Sequence, residues 1–83
     1  MFEKHILPIE EELNIIFEFH GDYYHGNPLY YNKDEYNVVC KTTFGELYRK
    51  TLLKEQTIKD LGYTLVTIWE NKWKNFINII KNL

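Results

Sequence analysis

The sequence offers almost nothing that could cross-link it, span a bilayer or spread a basic field over it. Cys40 is the single cysteine among 83 residues, which excludes an internal disulfide and suits a reducing compartment. It follows Val38 and Val39, a setting for a packed thiol rather than for a thiolate nucleophile. His20, His25 and Cys40 show neither CxxC nor HxxxH spacing, so a zinc site is not expected. No run approaches the roughly 20 apolar residues that cross a membrane. The N-terminal MFEKHILPIEEE lacks the apolar stretch of a secretory signal. An intracellular protein with no membrane partner is therefore expected. Ten basic residues against twelve acidic ones give a formal charge of -2, so there is no overall positive charge to hold nucleic acid nonspecifically. Internal repeats and low-complexity tracts are absent as well.

What the chain does have is aromatic surface. Two Trp, seven Tyr and five Phe in 83 residues exceed the needs of a small core. Some are expected to face a ligand, a partner or a second copy of the chain. The length and the 45% apolar content fit one small globular domain over residues 1–83.

Residues 13–20, LNIIFEFH, read as a strand of β-branched and aromatic residues closed by Gly21. A shorter strand is expected around His5–Leu7, ahead of Pro8 and the acidic run Glu10–Glu12. In the main strand Ile15, Phe17 and Phe19 fall on one face, and Ile16, Glu18 and His20 on the other. Gly21–Lys41 reads as a long loop, a length more often functional than passive. TTFGELYRKTLLKEQTIKDLG reads as a helix. A threonine forms its N-cap, Thr43 and Glu46 have capping-box spacing, and Gly62 stops it. Phe44, Leu47, Tyr48, Leu52, Ile58 and Leu61 recur at helical period. YTLVTIWE reads as a further strand, and NKWKNFINIIKNL as an amphipathic helix striped by Trp73, Phe76, Ile77 and Ile80. Glu70 is placed to cap that helix. The order (β)-β-loop-α-β-α is an α/β class, with a parallel strand pair joined through a right-handed crossover.

The turn FEFHGDYYHGNP holds the chemistry. Glu18 and His20 share a strand face, and Asp22 and His25 follow within the turn. Metal-assisted phosphodiester cleavage needs carboxylates for a hard cation that lowers the pKa of a bound water. It also needs a group titrating near neutrality to move a proton. Glu18 and Asp22 are the candidate ligands; His20 and His25 are the candidate acid and base. Each residue also has a plainer reading. Glu18 can be a solvated strand residue, His20 a satisfied core histidine, Asp22 a turn former, and Tyr23 and Tyr24 packing aromatics.

Three blocks in order, FHGDYYHGNP, TFGELYRKTLLKEQTIKDLGY and LVTIWE, resemble the very-short-patch-repair (Vsr) type of endonuclease domain. The form concerned occurs in large DNA viruses and in some homing endonucleases, and belongs to the PD-(D/E)xK restriction-endonuclease-like superfamily. The resemblance spans roughly residues 13–73. It implies a minimal restriction-endonuclease-like core lacking the usual N-terminal helix and first strand. It also implies Mg²⁺ or Mn²⁺ as cofactor, DNA as partner, and a cytoplasmic, nuclear or viral-factory location. In this alignment Glu18 takes the acidic position, His20 replaces the lysine, and His25 is the second histidine of the turn. Tyr23 and Tyr24 take the place of an aromatic pair that wedges into stacked bases, which needs a large apolar surface to offset unstacking. The family's first aspartate would fall at or next to Leu7, where no acid stands. The nearest acids are Glu3, Glu10, Glu11 and Glu12.

Lys41, Arg49 and Lys50 are candidate phosphate contacts, with Lys54 one turn beyond Lys50. The plainer reading is a solvated helix face with Glu46 paired to Lys50. Three readings follow: a metal-dependent DNA endonuclease, a nuclease-like module that binds DNA or protein without cleavage, and a dimerisation domain. A homodimer is compatible with each.

Overall fold

The computed structural model of the chain describes residues 14–83. The expected strand near His5–Leu7 and the acids Glu3 and Glu10–Glu12 lie outside them. Strand β1 is Ile15–His20, β2 is Tyr36–Asn37 and β3 is Thr42–Thr43. Helix α1 follows at Phe44–Asp60, then strand β4 at Thr64–Trp69 and helix α2 at Glu70–Lys81. The described chain is thus a small mixed α/β unit: a parallel pair β1–β4, an antiparallel hairpin β2–β3 and two helices. Phe17 pairs with Val66, Glu18 with Thr67 and His20 with Trp69 in the parallel register.

Helix α1 begins where its sequence says it should. Thr43 is the N-cap, and its hydroxyl accepts the Glu46 amide at 3.2 Å. The second half of the expected capping box does not form, because the Glu46 carboxylate turns to Arg49, at 2.6 and 2.8 Å. The expected Glu46–Lys50 pair is therefore replaced by one at i, i+3. The helix ends at Leu61, followed by Gly62 at φ 93. The inner stripe of α1 differs from the apolar count. Phe44, Thr51 and Ile58 are buried, whereas Leu52 and Leu61 are exposed. The buried positions lie seven apart; Leu47 and Tyr48 are half-buried between the first two, and Lys54 and Glu55 lie between the last two.

Strand β1 buries the face that carries Ile16, Glu18 and His20. Its other face leaves Phe17 about half exposed. Among the described residues Ile16, Phe44 and Ile58 form the buried apolar core, each contributing about 1.5–3 kcal/mol on burial. Helix α2 starts after Trp69, which serves as N-cap without a side-chain bond; Glu70 is the first helical residue and not the cap. No residue of α2 is buried, so Trp73, Phe76 and Ile80 stand at the surface.

The long loop is ordered by asparagines five residues apart. Asn27 Oδ1 accepts the Leu29 amide, Asn32 Oδ1 the Asp34 amide, and Asn37 Oδ1 the Val39 and Cys40 amides. Each is an Asx turn, in which a short side chain replaces a backbone acceptor. Asn37 is fully buried and donates to the Tyr23 carbonyl, tying the hairpin to the turn after β1. Gly26 closes that turn at φ 64, where a Cβ would lie 2.1 Å from the Phe44 carbonyl oxygen. Only glycine fits there.

Candidate active site

The turn at residues 21–27 sits at the C-terminal end of β1, against the inner stripe of α1. His25 N–H bonds back to the Gly21 carbonyl and Asn27 N–H to that of Asp22. This geometry sends Glu18, His20 and His25 inward. All three are buried, with His20 only 1% exposed.

Helix α1 meets each of them with one side chain. Thr51 Oγ1 lies 2.9 Å from His25 Nδ1, Lys54 Nζ 3.1 Å from Glu18 Oε2, and Glu55 Oε2 2.8 Å from His20 Nε2. Residues 51, 54 and 55 are neighbours on one helix face. The imidazoles of His20 and His25 lie 4.6 Å apart between centroids, and Trp69 packs its edge against His20 at 5.0 Å.

Hydrogen-bond counting assigns the His25 tautomer. The Thr51 hydroxyl has one proton, and it goes to the Leu47 carbonyl at 3.0 Å. Thr51 therefore accepts from His25 Nδ1–H, and the lone pair of His25 is on Nε2. Burial lowers the His25 pKa to about 4, helped by the charges of His20 and Lys54, so the ring is neutral near pH 7. At His20 the carboxylate of Glu55 accepts, so Nε2–H donates. Glu18 Oε1, His20 Nδ1 and His25 Nε2 are buried with no hydrogen-bond partner among the described residues. Three unsatisfied polar atoms in one cluster are costly in a fold this small.

A cavity of about 190 Å³ opens beside the cluster. His20, Tyr24, His25, Lys50, Thr51 and Lys54 line it. Tyr24 is 42% exposed at its lip. Tyr23 is instead packed into the fold, edge-on to Tyr24, Tyr31 and Phe44 at 5.3–5.8 Å. Of the expected phosphate contacts, Lys50 reaches the cavity. Arg49 is bound to Glu46 on the outer surface, and Lys41 sits exposed in the hairpin at φ 58.

Asp22 is not part of this cluster. Its Oδ1 accepts from Asn27 Nδ2 at 2.8 Å, and it lines a separate cleft toward α2. A hard dication wants several oxygen ligands. Glu18 Oε1 is the buried carboxylate oxygen left unpartnered among the described residues, and the other Glu18 oxygen is held by Lys54. Among the described residues no group of three His, Cys, Asp or Glu is placed to hold one metal ion. These residues alone do not fit a Mg²⁺ centre.

Of the residues in this cluster the sequence singles out Glu18, His20 and His25, gives Lys54 as a possible phosphate contact on a basic helix face, and does not single out Thr51 or Glu55. Their i, i+3, i+4 spacing was visible, but polar residues inside a helical pattern read as a solvated face. Comparisons with protein-family models, with curated proteins and with solved structures found no match.

Proposed function

We propose that this chain is a nuclease-type DNA-binding domain, acting on a phosphodiester through the cavity beside His25. The resemblance of its three sequence blocks to Vsr-type endonucleases supports the reading. The observation that carries it is the placement of His25: its ring is held by Thr51 through Nδ1–H, its Nε2 is buried with no hydrogen-bond partner among the described residues, and it lines the same cavity as Lys50 and Lys54. A base needs the lone pair of that nitrogen, and a backbone phosphate needs Lys50 and Lys54. In this reading Lys50 and Lys54 hold the phosphate, His25 accepts a proton from the attacking water, and Glu18 keeps Lys54 in place. Tyr24 at the lip contacts a base or sugar.

Two observations favour a second reading, a DNA-binding module without cleavage. Glu18 is occupied by Lys54, and the described residues form no metal centre.

Nicking of supercoiled plasmid, with Mg²⁺, Mn²⁺ or chelator, tests both together with DNA binding by fluorescence anisotropy. The first reading expects nicking by the wild type. It also expects loss of nicking with retained binding in His25→Gln, and loss of nicking in Glu18→Ala. Binding without nicking under every condition selects the second. A folded wild type that neither binds nor nicks DNA sinks both.

A further inference from the structure

The turn has two sides. Tyr24 and His25 face the cavity described above, while Asp22 and Tyr23 face a larger cleft of about 500 Å³ against α2. It is lined by Asp22, Tyr23, Tyr30 and Tyr31 from the turn and loop and by Asn71 and Asn75 from α2. Tyr31 is stacked flat on Phe44, 4.3 Å between centroids and 10° between planes, which makes it a rigid wall. Tyr30 is 58% exposed, with its ring open to a ligand.

The polar groups of this cleft are of a particular kind. Glu70 and Lys74 also border it but neutralise each other at 3.1 Å, and Glu70 further accepts the Asp22 amide at 3.0 Å. Asp22 keeps one carboxylate oxygen beyond the one held by Asn27. A backbone phosphate would meet that carboxylate and be repelled. A flat, uncharged ligand that donates hydrogen would be held. Asn71 and Asn75 are one helical turn apart and offer amides, which pair with a base edge; Asp accepts from the amino group of cytosine, and Asn pairs with adenine. Tyr rings supply stacking surface.

We propose that this cleft takes one unstacked nucleobase bearing an exocyclic amino group, adenine or cytosine. The phosphate of the same strand lies in the cavity across the turn. This rests on the DNA reading given above and adds base preference to it. A base inside a duplex cannot reach such a cleft, so the strand must be single or locally opened.

The test is anisotropy of labelled single-stranded homopolymers of dA, dC and dT, together with a duplex, on the full chain. Wild type is expected to bind dA or dC about tenfold more tightly than dT. Tyr30→Ala with Asn75→Ala, both surface positions, should level that preference and weaken dA and dC binding by about tenfold. Lys54→Ala should weaken all three strands and leave the preference intact. Equal binding of the three strands by the wild type, or a preference that survives Tyr30→Ala with Asn75→Ala, overturns the base cleft while the DNA reading stands. Absence of binding to any strand or to the duplex overturns the DNA reading, and the cleft with it.

Discussion

Acid should unfold this domain through His25, and the size of the effect can be worked out. In the unfolded chain the imidazole titrates near 6.5; in the folded one burial holds it at about 4. Between those values the unfolded state binds the proton and the folded state does not. Stability is therefore full above about pH 6.5, falls as the pH drops toward about 4, and levels off below it for this group. At about 1.36 kcal/mol per pKa unit, the interval amounts to roughly 3 kcal/mol. A domain of this size has only about 5–10 kcal/mol to lose. The assay is urea denaturation followed by circular dichroism at several pH values from 7.5 to 4. His25→Gln removes the titrating group and keeps an amide able to donate to Thr51. It should flatten the pH profile by about that amount. Thr51→Val leaves the buried Nδ1–H without its acceptor, costing about 1–3 kcal/mol at pH 7. If wild type and His25→Gln lose stability in parallel from pH 6.5 to 4, the buried neutral histidine is refuted.

Two further outcomes follow from the backbone and from the ion pair. Gly26→Ala should cost several kcal/mol, because its φ is 64 and the added methyl would meet the Phe44 carbonyl. Gly62→Ala, at φ 93 with open space around it, should cost only about 1–2 kcal/mol, and thermal melts of the two variants compare them directly. Lys54→Met strips the partner from Glu18, a carboxylate only 4% exposed. The Lys54 side chain is itself about half exposed, so the loss should be about 1–2 kcal/mol, short of a fully buried pair. Thermal melts of Lys54→Met and of Lys54→Met with Glu18→Gln check it; an equal loss in the two would show that the carboxylate is not the group left stranded.

Local signals in the sequence were legible because local chemistry decides them. Thr43 caps α1 through a bond to a residue three positions on, and Gly62 ends it by adopting a positive φ. Neither depends on the rest of the fold. Alternation along β1 was legible too, but alternation cannot say which face turns inward. That choice is made by α1, through Thr51, Lys54 and Glu55, which look like surface residues in sequence. Asp22 left the expected site for a similar reason: Asn27, five residues away, captures its carboxylate in the turn. The asparagine spacing that orders the loop was on view at 27, 32 and 37, and each member by itself passes for an ordinary turn residue.

The polar contact between β1 and α1 also bears on register. Sliding β1 by one residue would turn Ile15, Phe17 and Phe19 toward α1 and expel Glu18 and His20. By burial alone that slipped strand is attractive, since it covers more apolar surface. It would, however, leave Lys54 and Glu55 facing isoleucine and phenylalanine without their present partners, and Thr51 with only its bond to the Leu47 carbonyl. The observed register gives each of the three a matching group at 2.8–3.1 Å. The three pairs thus specify register more than they add stability, since apolar replacements of buried ion pairs are often as stable or more so. Pairing alone does not require that Glu18 Oε1, His20 Nδ1 and His25 Nε2 be left over, buried and unmatched. A fold that only needed its register fixed could do so with groups fully satisfied by one another. The surplus unpartnered polar atoms are what a site has and a register lock lacks, and they point to the cavity beside His25 as the place to look for chemistry.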